Sequence, residues 1–328
     1  MIDFSDGIRH LYMPGIHQIS TDLKTGLNGW LSLGRDYIIP NNLVNHSFSV
    51  LTFEFVDFLR AYVYDINRLS SAALESINDI SEDIVSPKFY GWIITKYYYS
   101  AFFSAHSILK LTGNSLSNIE TSSINKVKEL ARSYGLSYGT LNSGLYCISC
   151  NANINQCDFV KDPKYDDSHK GIWLKFLHFL IHAQTSVYGS LPLSDAQLIA
   201  DKLEELQDAL TNYGCTGGHW LSRIRNSVNY SQSHGIWYPY SNYSRGSENI
   251  LKYQVLCKEN PLDIELASFR GKELLYFVRA CQLINSINFN IQKDLVKRHS
   301  ENKSFLLRGI FEYHSKYLKR SIHNNGLI

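Results

Sequence analysis

Arg225 and Asn226, with Asn229 and Tyr230 one helical turn later and His234 nine positions after the arginine, are the residues of this chain best suited to chemistry on a phosphate. A guanidinium is a permanently charged fork of donors that matches phosphate oxygens, and flanking carboxamides add neutral donors. If the segment is helical, Arg225 shares a face with Asn229 and Asn226 shares the next with Tyr230, so two polar ridges lie side by side. Trp220, Leu221, Ile224 and Val228 supply its apolar side. Arg223 adds a second guanidinium, and the stretch Gly217 to Tyr240 ends in Trp237, Tyr238, Pro239 and Tyr240. Rings of this kind stack the bases of single-stranded RNA. Arg223, Asn229, Trp237 and Tyr238 are therefore candidate RNA contacts. The competing reading is a solvated helix face followed by a loop that packs back over its own helix.

Metal chemistry has a second set of candidates. Cys147, Cys150 and Cys157 form a CxxC with a third cysteine seven residues on, and His169, Cys215 or His219 would complete a tetrahedral zinc site. A second CxxC is absent, so reduced cysteines in a loop or core are the alternative. His178 and His182, four apart, could bind metal from one helix face, but no carboxylate accompanies them in the HExxH manner. Their apolar neighbours suit partly buried histidines. Cys215 and His219 resemble a nucleophile with its base, although Thr216, Gly217 and Gly218 between them read better as a turn.

These residues need elements to position them, and the apolar periodicity supplies helices. Phe48, Leu51, Phe55, Phe58, Leu59, Tyr62, Ile66 and Leu69 predict a long amphipathic helix over Ser47 to Asp79. Ser86 and Pro87 open a second helix that Gly113 closes, apolar nearly all round, with Ser100, Ala101, Ser104 and Ala105 as a patch where another helix can approach closely. Further helices are expected over Ser123 to Tyr134, Ser168 to Tyr188, from the Ser194–Asp195 cap to Gly214, from Pro261 to Asn288, and over Ser304 to Ser321. Residues 113–118 read as a Ser/Asn-rich loop, residues 135–167 show no clear element, and Ile250 to Cys257 is a candidate strand. The expected fold is thus all-α: an irregular or partly β-structured lead over 1–45, a helical-bundle domain over 46–290, and a basic helical tail over 291–328.

Bulk properties limit the options further. At 328 residues and 44% hydrophobic composition the chain can bury one large core or two ordinary ones. A net charge of +2 provides no global field toward nucleic acid or lipid, so any such attraction must be local. The tail is the one basic region, with Lys293, Lys297, Arg298, Lys303, Arg308, Lys316, Lys319 and Arg320 against Asp294, Glu301 and Glu312. No apolar run is long enough to span a bilayer, and the opening residues lack the pattern of a signal peptide. A cytoplasmic protein with reduced cysteines, no membrane association and no cofactor is expected.

An arginine followed by asparagine late in a helical chain, together with the earlier YYYSAFFSAHSILKL helix (Tyr97 to Leu111), resembles the HEPN superfamily. The likeness covers Ser86 to Gly235. It implies a metal-independent ribonuclease, usually dimeric, of toxin–antitoxin or antiviral defence systems, with RNA as substrate and an antitoxin or other protein as partner. Arg225 and Asn226 match the first two motif positions, and would hold the scissile phosphate while a second group moves the proton of the attacking 2′-hydroxyl. The motif histidine is replaced by Tyr230, and a phenol is a poor general base near neutral pH. A residue five places along a straight helix is rotated by about 140°, so convergence needs a bend or a dimer axis. His234 is the alternative proton carrier if a break at Ser231 to Gly235 folds it back. An inactive RNA-binding or scaffold version and a zinc-stabilised interaction domain are the other readings.

Overall fold

The structure, a computed structural model, describes residues 2–41, 43–83, 90–137, 139–165, 167–231, 233–237, 260–312 and 315. The Ser86–Pro87 helix start, the strand expected over Ile250 to Cys257, the rings of Tyr238 and Tyr240 and the far end of the basic tail lie outside the described residues. In chain order the elements are α1 (Phe4–Ile8), α2 (Leu27–Leu33), β1 (Tyr37–Ile38), β2 (Ser47–Thr52), α3 (Phe55–Asp83), α4 (Tyr90–Leu111), β3 (Asn114–Ile119), α5 (Thr121–Ser133), β4 (Gly144–Asn151), β5 (Gln156–Val160), α6 (Ser168–Ser186), α7 (Leu193–Leu210), α8 (Trp220–Asn229) and α9 (Glu273–Arg298). They divide into two compact units. One comprises Met1–Leu11, Ala72–Ala105 and Ile172–Lys293, and the other Tyr12–Ser71, His106–Gly171 and Asp294–Ile328.

The second unit corrects the all-α expectation, because it holds a five-stranded antiparallel sheet of order β1-β2-β5-β4-β3. Its first full strand lies where a helix was expected to begin. In Ser47–Thr52 alternate residues are buried: Phe48, Val50 and Thr52 face inward. That period of two is a strand signal, which the three- and four-residue spacing of Phe48, Leu51 and Phe55 masked. The ladder sets Phe48 opposite Phe159, ring on ring at 4.5 Å, and Val50 opposite Cys157. Of residues 113–118, polar enough to read as a loop, Asn114 to Asn118 pair with β4 as part of β3, which Ile119 completes. β4 returns as β5 through Asn151, whose side chain accepts from the Asn153 N–H, and Asn155, whose φ of +52° suits asparagine. The lead is also more ordered than expected, since it contributes α1, α2 and β1.

Polar contacts join this unit's helices to its sheet. The Tyr62 and Ser115 hydroxyls lie 2.6 Å apart, fully buried. Lys110, in the last turn of α4 where the helix dipole favours a cation, donates to Asp65 at 3.2 Å and to the Ser117 hydroxyl at 2.9 Å. Partly buried His106 donates from Nε2 to the Leu116 carbonyl at 2.7 Å. Burial, with the Lys110 charge adding to it, holds the imidazole down at about 4. An unfolded histidine titrates near 6.5, so between these values the unfolded chain binds a proton that the folded chain refuses. Stability from this site is complete above pH 6.5 and falls as pH drops toward 4, by up to about 3 kcal/mol and by less where water reaches the ring. Urea midpoints measured across that window should show the decline, and His106→Gln should flatten it. An equally steep profile in the variant would assign the acid sensitivity to other groups.

In the helical unit, the small residues of α4 do admit another helix. Ser100 and Ser104 are buried and both donate to Asn285 Oδ1 of α9, at 3.0 and 2.7 Å. Trp173 of α6 is fully buried among Tyr98, Phe102 and Phe176, with ring centroids 6.0 to 6.1 Å away. α8 starts beside it. Gly218, at φ +73°, lies so close that a side chain there would meet the Trp173 carbonyl at 2.9 Å, which explains the glycine at this turn.

Candidate functional site

α8 is amphipathic in the expected way, with Trp220, Leu221, Ile224 and Val228 buried. Trp220 packs on Tyr276 and Phe277 of α9, at 5.3 and 6.3 Å. Ser222 and Arg225 are buried on the same side. The Ser222 hydroxyl is 2.7 Å from the Tyr98 hydroxyl, which also accepts from Trp173 Nε1 at 3.1 Å. Burial pushes the Tyr98 phenol above its ordinary range, against the opposing pull of these hydrogen bonds and of Arg225.

Arg225 is 7% exposed, and its guanidinium carbon sits 4.9 Å from the Tyr98 ring centroid and 5.8 Å from that of Tyr99. Its Nε has no hydrogen-bond partner, and it pairs with no carboxylate among the described residues. The faces of two tyrosines contribute cation–π contacts to its compensation. Asn226 is exposed, rotated by about 100° from the arginine. The two residues matched to the motif thus point in different directions, one into the unit and one into solvent.

The solvent side of α8 carries a continuous polar ridge. Asn226, Tyr230 and Arg223 are exposed, Tyr230 at 77%, and half-buried Ser227 borders them. Arg223 donates from Nη1 to the Tyr213 carbonyl at 3.1 Å, which fixes its direction. Beyond Tyr230 the helix ends, and His234 adopts a left-handed backbone at φ +70°. This break turns the imidazole back onto the ridge. His234 Nε2 lies 3.3 Å from Ser227 Oγ, and Nδ1 lies 3.7 Å from Glu273 Oε2 at the start of α9. Glu273 was not among the sequence candidates, because nothing in its own segment distinguishes it from an ordinary first-turn acid of a helix.

Other candidates take structural places. Half-buried Asn229 accepts from the Thr95 hydroxyl at 2.9 Å. Trp237 donates to the Val228 carbonyl at 2.7 Å, meets Trp92 edge-on at 5.8 Å and occupies the space beside Gly91. It packs back over α8 and is not presented as a stacking platform. His178 and His182 are exposed on α6, where partial burial was expected. In the sheet unit, Cys150 and Cys157 face each other across β4 and β5. Cys147, three residues before Cys150 on the same strand, projects from the opposite face. The three do not form one ligand set, and no group of three His, Cys, Asp or Glu among the described residues could hold a metal ion.

Comparison with known proteins finds no matching family model, no matching curated protein and no matching solved structure. No helix among the described residues is long and apolar enough to cross a membrane.

Proposed function

We propose that this chain is a HEPN-like, RNA-directed protein of the cytoplasm, a metal-independent endoribonuclease of antiviral or toxin–antitoxin type that works through the outer ridge of α8. The observation that carries this reading is the return of His234 onto the ridge, beside Ser227 and Glu273. It supplies the proton carrier that Tyr230 cannot be, since imidazole exchanges protons near neutral pH. Arg223 and Asn226, both solvent-facing, contact the scissile phosphate. Arg225 braces the ridge from within.

In the reaction the RNA 2′-oxygen attacks the adjacent phosphorus while His234 accepts its proton. The bond from phosphorus to the 5′-oxygen breaks, and that oxygen takes a proton from water. Glu273 steadies the imidazole through Nδ1, and Arg223 offsets charge building on the phosphate oxygens. The products are a 2′,3′-cyclic phosphate and a 5′-hydroxyl end.

Burial of Arg225 away from Asn226 favours a second reading, a catalytically inactive HEPN-like module that binds RNA or a protein partner. One experiment separates the two. The purified protein is incubated with total RNA in EDTA, and the fragment ends are analysed. Cleavage to cyclic phosphate ends is expected, with a loss of roughly 100-fold or more in His234→Ala, the usual scale for removing a general base. Intact RNA that still binds the protein supports the second reading, and RNA neither cut nor bound removes the ribonuclease and the RNA-binding module, leaving the module that binds a protein partner.

A further inference from the structure

Two free cysteines meet at the centre of the sheet unit. β4 and β5 run antiparallel and set Cys150 opposite Cys157, beside the pair of Ile148 and Phe159. Tyr146 and Ile148 of β4 and Cys157 and Phe159 of β5 are fully buried, so the face that carries both cysteines is the inner one. Residues directly opposite in such a ladder have Cα atoms about 4.5 or 5.5 Å apart, and disulfides span Cα separations of about 4.4 to 6.8 Å. The backbone spacing is already that of a disulfide, and the two thiols are hydrogen-bonded to each other.

Their surroundings make the two sulfurs unequal. Cys157 lies on the central strand, fully buried, with Val50 of β2 on one side and Cys150 on the other. Burial first, and then the neighbouring Cys150, push its thiol well above the usual thiol range. The thiolate is the form that reacts with an oxidant, so Cys157 is inert on its own. Cys150 is partly exposed and offers the approachable sulfur. Cys147 is also partly exposed but projects from the opposite face, away from Cys157, and Cys215 and Cys281 are buried in the helical unit. We propose that Cys150 and Cys157 are a peroxide-responsive pair, oxidised to a disulfide across β4 and β5 and returned to thiols by a small thiol reductant. Cys150 sulfur attacks hydrogen peroxide, the O–O bond breaks, and the released hydroxide leaves as water with the Cys150 proton. Cys157 sulfur then attacks the resulting sulfenic acid. The S–S bond forms, the S–O bond breaks, and the departing hydroxyl carries off the Cys157 proton as a second water, so two thiols lose two electrons and one peroxide becomes two waters. An approachable sulfur beside a resolving thiol is the arrangement of a redox sensor.

The test uses the full chain, reduced with dithiothreitol, freed of it, and treated with a slight molar excess of hydrogen peroxide. It is then denatured, alkylated, digested and read by mass spectrometry. Two of the six cysteines should escape alkylation, fragmentation should place them at Cys150 and Cys157, and dithiothreitol should restore both. Cys147→Ser should leave the pairing intact. In Cys157→Ala the resolving thiol is gone, so Cys150 should instead gain two oxygen atoms as a sulfinic acid that dithiothreitol does not reverse. Cys150→Ser leaves the buried position untouched, and its Cys157 should stay fully alkylatable after peroxide. Full alkylation of the treated parent chain, a disulfide through any other cysteine, or sulfinic acid at Cys150 in the parent overturns the proposal. None of these readouts depends on RNA cleavage, so this proposal and the assignment of α8 stand or fall separately.

Discussion

Lys110→Ala is expected to lower the stability of the sheet unit by about 3 kcal/mol, the scale for removing one member of a buried ion pair. The Lys110 side chain is 4% exposed and that of Asp65 is 20% exposed, so its loss strands a carboxylate that water reaches only in part. The Ser117 hydroxyl loses its partner in the same step, and the Tyr62 ring loses the cation 4.6 Å from its centroid. Among the described residues Asp65 keeps a long contact from the Leu27 N–H at 3.4 Å. The partial exposure of Asp65 places the loss at the lower end of the usual range. Combining Lys110→Met with Asp65→Asn removes both charges at nearly constant volume and should recover most of the loss. Urea denaturation of the two single variants and the double variant measures this directly. If Lys110→Ala alone costs less than about 1 kcal/mol, the pair behaves as an exposed one.

Trp173→Ala should cost the helical unit about 3 to 5 kcal/mol, the range for deleting a fully buried aromatic side chain. Three aromatic neighbours lose contact, the Tyr98 hydroxyl loses its indole donor, and the wall beside Gly218 at the entry to α8 is undermined. Trp173→Phe keeps most of the packing and removes the donor. Its cost should be near 1 kcal/mol beyond the lost area, the net worth of one hydrogen bond. Thermal melts of both variants give the comparison. The consequence for the site is specific: Arg225 rests on the Tyr98 ring, so the alanine variant should expose the guanidinium and lower the protection of its N–H protons against exchange relative to the parent chain. Equal melting of Trp173→Ala and the parent would mean that the cavity collapses fully and that the tyrosine is held by other contacts.

The helices were largely legible because their apolar residues recur locally. α7 begins at Leu193, beside the expected Ser194–Asp195 cap, and α4 stops at Leu111, just before Gly113 at φ +69°, whereas the helix expected from Pro261 begins only at Glu273. The sheet was not legible, for reasons visible in particular strands. β3 has the composition of a loop, since Asn114, Ser115, Ser117 and Asn118 are stabilised by pairing with β4 and not by local preference. β2 carries aromatic spacing that fits either period, and only its partner β5 selects the strand. Pairing between residues a hundred positions apart is a tertiary fact that a local pattern does not encode.

The candidate site divides along the same line. By itself the sequence marked Trp220, Leu221, Ile224 and Val228 as the apolar side of a short segment carrying guanidinium and amide groups, and left a break before His234 as the condition for its return. Tertiary structure alone decided which of those groups face solvent. The apolar arc of α8 would leave Arg225 at its edge, but Tyr98 offers a hydroxyl to Ser222 and a ring face to the guanidinium, which draws both into the buried side. The same packing leaves Arg223 and Asn226 outward and brings His234 between Ser227 and Glu273. A polar side chain is buried when a partner elsewhere in the chain satisfies it, and that partner is supplied by the fold and not by neighbours in sequence.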